Sequence, residues 1–588
     1  MLDNKSIDKK VIIIVAIAVA VVLGALVTFG INSSSGIKRN GIEMEYETTL
    51  FGDENIDVNI EMSDSQWQEL LDNAVDEEYY SADVTVNGIK YKNVGVRAKG
   101  NTSLSQVAST ESDRFSLKIK FDEYVDGQNC DGLTKLVLNN NYCDATMMKE
   151  AICYDMFKFL GADASLYNYA KVSVNGEYTG LYLALEPVEE SFCRRVYGEK
   201  YGMFYKPDSM EMGGGKGNMK NFDKEAFEEK FGQSADAQQQ PEMQQGGAPP
   251  EMPDGQQGGQ PGDQGGQQPP EMPNAEQGGQ PGGQGGQQPP DMQQGGGMPQ
   301  GGQQPPERPN GEQGGQQPDS SGNSKMGGPG GAGGGSDLNY IDDELDSYDT
   351  IWDGAVFDCS TADKTRLIKA LKELCDTDAS YVELSKYIDM EYMAKYMAVH
   401  TFAVNLDSLS GNMTHNYYLY EYGNMLNLIP WDYNLAFGGF QQGDASSMIN
   451  FSIAWPFRNL EESDRQLFAN LLNCDEFKEM YYDNLQKLSE EYVQGGMFAS
   501  TVKALRSRID ELVKTDPTSF YSNSEYETAQ KTFVKVVPLR AKAVLAQIDD
   551  ENATVDASGI NLSDMGAQGG DHDKQPNSVK KNSAEVKS

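Results

Sequence analysis

Residues Asn405 to Gly438 read NLDSLSGNMTHNYYLYEYGNMLNLIPWDYNLAFG. A polar loop carries Asp407 and, five residues on, Asn412. Two strand-like runs follow, Tyr417 to Tyr420 and Met425 to Ile429, and the next acidic group is Asp432 in Trp-Asp-Tyr-Asn. Kinase-type phosphoryl transfer needs this order of parts. A loop carboxylate takes the proton of the attacking hydroxyl, a nearby amide oxygen holds a metal, and a later carboxylate grips Mg²⁺ on the nucleotide. The same residues also spell an Asx-rich turn feeding a hairpin, since Asp, Asn and Gly favour turns. A D-x-x-x-x-N match also recurs by accident, so spacing alone leaves both readings open.

Working outward, further motifs precede this stretch: VRAKGNTS (Val96 to Ser103), FSLKIKF (Phe115 to Phe121), LVLNNNYCDATMMKEAICYDMF (Leu136 to Phe157) and VSVNGEYTGLYLALEPVEESF (Val172 to Phe192). Together with THNYYLY and IPWDYNLAFG they resemble, in order, the CotH family of atypical, spore-coat-type protein kinases. The likeness covers most of Glu45 to Asp549 apart from a low-complexity insert. It implies an α+β, atypical protein-kinase-like two-lobe fold, with a mixed small lobe built on a sheet and a mostly helical large lobe. It also implies ATP with Mg²⁺ or Mn²⁺ as cofactors, and a protein substrate of the surface or spore-coat kind phosphorylated on Ser or Thr.

On that resemblance Asp407 is the catalytic carboxylate and Asp432 the metal-binding one, with Tyr433-Asn434 where ordinary kinases have Phe-Gly. The second metal ligand is either Asn412, by spacing, or Asn416, in the His-Asn-Tyr-Tyr block that matches the family. His415 beside it is expected to steady the loop through hydrogen bonds. Lys118 on a strand and Glu150 on a helix form the expected phosphate-binding pair, with Lys120 on the same strand face as its competitor. A solvated strand edge is the plainer reading of either lysine. No G-x-G-x-x-G covers the phosphates, and VRAKGNTS is the expected substitute. Gly100 would let the backbone approach, Asn101, Thr102 and Ser103 would donate hydrogen bonds, and Arg97 and Lys99 would add positive charge. Adenine would rest on the backbone of Leu185-Glu186-Pro187-Val188, which places Glu186 and Val188 in the nucleotide site.

Composition narrows the partners. With 48 basic against 89 acidic residues the formal charge is −41, which repels phosphate backbones and argues against nucleic acid as a partner. Seven cysteines lie dispersed with no metal-ligand spacing, so they read as small buried residues rather than a disulfide framework, although Cys130 with Cys143 could bridge. Three histidines make a His-rich zinc site a poor reading.

Lys5, Lys9 and Lys10 precede an uncharged run from Val11 to Ile31, about the twenty residues a membrane-spanning helix needs. The expectation is a single-pass signal anchor at 11–31 in the cell membrane, with residues 1–10 cytoplasmic and the rest extracytoplasmic or spore-associated. A cleaved signal peptide is the alternative. Residues 43–188 form the expected small lobe and hinge, and 189–212 with 337–549 the large lobe. From 213 to 336 the chain collapses to Gly, Gln and Pro, with PPEM at Pro249 and Pro269 and PPDM at Pro289. That composition cannot bury a core and reads as disordered. Residues 550–588 read as an unstructured tail. An inactive surface or coat assembly scaffold is the competing function, and retention of Asp407, Asp432 and a small-lobe lysine weighs against it. An adhesin has no motif behind it.

Overall fold

Alternation of apolar and polar residues between Ile56 and Leu185 folds into seven strands: β1 (Ile56–Glu61), β2 (Tyr80–Val86), β3 (Ile89–Lys99), β4 (Ser116–Lys120), β5 (Lys135–Asn139), β6 (Tyr167–Val174) and β7 (Glu177–Leu185). The computed structural model describes residue 37 and residues 39–100, 102–207, 333–441 and 443–568. The Val11–Ile31 run, residues 1–10 and nearly all of the Gly/Gln/Pro insert lie outside the described residues. Among the described residues no helix is long and apolar enough to cross a membrane.

The seven strands close into a barrel in the order β1-β2-β3-β4-β5-β7-β6. This corrects the sequence expectation of a kinase-like two-lobe fold with a mixed small lobe built on a sheet. The cause is at the seam. β1 pairs antiparallel with β2 on one side and parallel with β6 on the other, from Ile56↔Ala170 to Ile60↔Val174, so neither edge is left free. The turn Asn175-Gly176, with φ of 51° and 84°, folds β7 back on β6 as hairpin chemistry requires. Val58, Ile60, Val84, Val96, Ile119 and Val172 fill the interior.

Ten α-helices of seven residues or more lie among the described residues: α1 (Asp64–Asp72), α2 (Thr102–Ala108), α3 (Lys149–Leu160), α4 (Glu190–Tyr197), α5 (Thr361–Leu374), α6 (Met390–Ala403), α7 (Gln466–Leu472), α8 (Asp475–Lys487), α9 (Met497–Lys514) and α10 (Asn523–Asp549). A second sheet, ordered β10-β9-β8, joins β8 (Met203–Tyr205) to the hairpin β9 (Tyr417–Tyr422) and β10 (Met425–Pro430). Strand alternation sorts two cores. On β7, Tyr182 and Ala184 face the barrel interior, while Leu181, Leu183 and Leu185 join α3 and α6 in the larger core. That outer barrel face is where the site is built. Residues 550–568, read from the sequence as part of a tail, stay on the fold. Leu562 and Met565 are buried, Ala145 donates to the Met565 carbonyl at 3.0 Å, and Lys149 Nζ donates to that of Gly566 at 2.8 Å. All seven cysteines are free.

Candidate functional site

Helix α6 ends at Val404, whose φ of 50° turns the chain into the Asn405–Asn416 loop. Asp407 is gripped there from two sides. His415 Nε2 lies 3.0 Å from its Oδ1, and Asn416 Nδ2 donates to its Oδ2 at 2.9 Å and to its carbonyl at 2.8 Å. When the Asp407 carboxylate is ionised it only accepts, and His415 then carries a proton on Nε2. Burial pushes the Asp407 carboxyl above its usual range, and the nearby Asp432 charge adds to that, against the His415 and Asn416 hydrogen bonds. Asn412 is exposed on the same loop, so of the two candidate asparagines only Asn416 touches Asp407.

Asp432 lies two residues past the end of β10, after Trp431, at φ 59°, and no described residue forms an ion pair with or donates a hydrogen bond to its carboxylate. Its backbone carbonyl accepts from Asn405 Nδ2 at 3.4 Å. Tyr433, next in the chain, is fully buried, and its ring lies 5.4 Å from Phe157 and 6.4 Å from Tyr154 on α3. The metal-candidate turn is thus pinned to the helix that bears Glu150.

The barrel supplies Lys99, the last residue of β3. Its Nζ donates to Asn139 Oδ1 at 3.0 Å, and Asn139 Nδ2 donates to Glu150 Oε2 at 2.9 Å. Burial drives the Lys99 ammonium below its usual value, with Lys206 and Lys118 repelling it while Asp432 and Glu150 hold it charged. Burial, then the Asp432 charge, pushes the Glu150 carboxyl up to about 8, against the Asn139 hydrogen bond and Lys99. Lys99, Glu150, Asp432 and Asp407 therefore share one electrostatic neighbourhood.

Register explains why Lys99 and not Lys118 reaches Glu150. Lys99 pairs across with Ser116, and Asn139 continues that row one residue beyond the Leu117↔Leu138 pair. Lys118 stands in the next row, opposite Arg97 and Val137. It pairs instead with Glu189 at 2.8 Å, and Lys135 holds the other oxygen of that carboxylate. Lys120 is a row further out and pairs with Glu123 at 2.7 Å.

The other expected nucleotide contacts are largely spoken for. Arg97 pairs with Glu77 at 2.7 Å, and the Gly100 N–H donates to the same carboxylate at 3.2 Å. Gly100 holds φ 140°, and a Cβ there would meet Leu104 and Ser103 at 3.0 Å. Thr102 and Ser103 open the short α2, half-buried, and Asn101 lies outside the described residues. Glu186 is fully buried, accepting from Arg195, from Tyr46 Oη at 2.5 Å and from the Leu166 N–H at 3.1 Å, while its own N–H goes to the Leu166 carbonyl. Val188 is buried.

Hard oxygen donors suit a divalent cation of the Mg²⁺ or Mn²⁺ class, which takes one or two carboxylates and completes its shell with phosphate and water. The uncommitted Asp432 carboxylate and Asn416 Oδ1 fit that demand. Among the described residues no three His, Cys, Asp or Glu side chains group closely enough to hold a metal alone. Asn139, Asn405, Trp431 and Lys206 also belong to this region, and sequence reading passed over them. The LVLNNN run at the end of β5 was the available signal for Asn139.

The chain belongs to the CotH family: the family described as CotH kinase protein matches residues 96–248 and 343–544, more than half of the sequence. The first matched segment begins within β3, three residues before Lys99, and the second spans Asp407 and Asp432. No curated protein matches the chain.

Proposed function

We propose that this protein is a protein kinase that transfers the γ-phosphoryl group of ATP to a Ser or Thr hydroxyl. The observation that carries the reading is the convergence of Lys99, Glu150, Asp407 and Asp432, from β3, α3, the 405–416 loop and the segment just after β10. Asp407, its carboxyl raised by burial, accepts the hydroxyl proton as the acceptor oxygen bonds to the γ-phosphorus. The bond from that phosphorus to the β–γ bridging oxygen breaks, and ADP leaves with the electron pair. His415 and Asn416 keep Asp407 in one orientation. Lys99, positioned by Asn139, draws the phosphates against the barrel. Asp432 and Asn416 would hold the divalent cation, which neutralises phosphate charge when bound.

Family membership supports a protein acceptor, and the apolar run Val11–Ile31 supports placement of this domain outside the cytoplasm. The test is incubation of the full-length protein with γ-labelled ATP, Mn²⁺ or Mg²⁺ and a basic acceptor protein, beside Asp407→Ala. Label transfer that disappears in Asp407→Ala is the expected result. Absence of transfer in the unaltered protein, with no thermal shift on adding ATP and metal, overturns the reading in favour of a coat or surface scaffold.

A further inference from the structure

Lys206 is the last residue but one before the chain leaves the described region at 207, and its backbone is held firmly. Its N–H donates to the Gly354 carbonyl at 2.7 Å, and the Val356 N–H donates to that of Phe204 at 2.8 Å. Gly354 is needed there, because a Cβ would sit 2.2 Å from the Lys206 carbonyl oxygen. From this base the side chain reaches the ring of Trp431, its Nζ 5.8 Å from the centroid. Lys99 Nζ lies 5.8 Å from the same centroid. The two ammonium groups are thus separated by no more than twice that distance, beside the residue that precedes Asp432. Among the described residues neither forms an ion pair, and Lys99 has only the neutral Asn139 as a hydrogen-bond partner. Elsewhere near the site lysines have carboxylate partners: Lys118 and Lys135 share Glu189, and Lys120 pairs with Glu123. The two ammonium groups repel each other, Asp432 and Glu150 offset the charge of Lys99, and a polyanion set between the lysines is attracted by both.

We propose that Lys206 is a second phosphate-binding cation, meeting the polyphosphate of the nucleotide together with Lys99 around Trp431. The inference rests on the phosphoryl-transfer reading for the identity of its ligand. Its ligand chemistry, a chain of linked phosphates, is testable without turnover.

The experiment is calorimetric titration of the full-length protein with tripolyphosphate, with ATP and with adenosine, in Mn²⁺, for the unaltered chain, Lys206→Met, Lys206→Gln and Lys206→Arg. Losing one charge-assisted contact predicts tripolyphosphate and ATP affinities roughly tenfold lower in Lys206→Met and Lys206→Gln, with Lys206→Arg close to the unaltered chain. Adenosine affinity stays the same, which a general loss of structure would not produce. If either neutral variant keeps its melting temperature and binds tripolyphosphate within about twofold of the unaltered chain, the role of Lys206 is overturned while nucleotide binding stands. Lys206-dependent tripolyphosphate binding without label transfer supports the anion site and overturns the kinase. Failure of the unaltered chain to bind either polyphosphate overturns both.

Discussion

Lys99 Nζ donates to Asn139 Oδ1 at 3.0 Å, and Asn139 Nδ2 donates to Glu150 Oε2 at 2.9 Å. The half-buried lysine and the buried carboxylate thus communicate through a neutral relay rather than by direct contact. Such a relay fixes both side chains while leaving the charge of Lys99 for an incoming phosphate. Asn139→Ala removes it, taking the hydrogen-bond partner from Lys99 Nζ and from Glu150 Oε2. ATP affinity measured by titration should fall about tenfold, and the melting temperature should drop as well. An unchanged ATP affinity would remove Asn139 from the site.

Asp432→Asn separates charge from shape. Asparagine tolerates the left-handed φ of 59° as readily as aspartate, and no described partner of the carboxylate is lost. Stability should therefore change by less than about 1 kcal/mol. Metal-dependent ATP binding should disappear, because an amide cannot replace the carboxylate as a hard anionic ligand. Titration of ATP with and without Mn²⁺ checks this, and a metal effect retained by the variant would take Asp432 out of the site.

Local chemistry made part of this molecule readable from sequence. Asn175-Gly176 announced its hairpin, and Phe115, Leu117, Ile119 and Phe121 marked a strand with one apolar face. Asp407 and Asp432 stood out because loop carboxylates around a hairpin are a recognisable arrangement, and the structure brings them together. Barrel closure had no such signal. It depends on a parallel pairing between Ile56–Ile60 and Ala170–Val174, segments far apart in the chain whose own alternation would suit an open sheet equally well. The choice among Lys99, Lys118 and Lys120 was hidden for a related reason. Alternation puts all three on the outer face, and only the register with β5 decides which one stands beside Asn139. Lys206 was invisible because its placement comes from a strand partner, β9, more than two hundred residues away.

Arg114 ties the barrel to the helical region. Its side chain and that of Asp516 are wholly buried and 2.9 Å apart, and its guanidinium lies over the rings of Tyr182 and Phe520 at 4.8 and 5.7 Å. Asp516 also accepts from the Leu181 N–H at 2.9 Å. Removing one partner strands the other charge, so Asp516→Ala should cost about 3–5 kcal/mol by denaturant unfolding. The double variant Arg114→Met with Asp516→Leu should cost less than either single truncation, because no buried charge is left behind. Additive losses would mean that packing around Arg114, not charge pairing, sets the cost.

His400 sets a pH dependence whose sign follows from its surroundings. It is buried on α6, its Nδ1 2.8 Å from Tyr433 Oη and its Nε2 without a hydrogen-bond partner among the described residues. Burial alone lowers its pKa to about 4, from 6.5 in the unfolded chain. Between those values the unfolded chain binds the extra proton, so His400 stabilises the fold fully above pH 6.5, and that contribution is lost as pH falls toward 4. The span is worth about 3 kcal/mol. The raised carboxyls of Asp407 and Glu150 slope the other way over their own ranges, so the comparison must be with a variant that differs only at His400. His400→Phe should erase the loss between pH 6.5 and 4 when the two unfolding free energies are subtracted at each pH. Parallel curves would mean that the imidazole becomes protonated in the folded state with no penalty, which its buried Nε2 argues against.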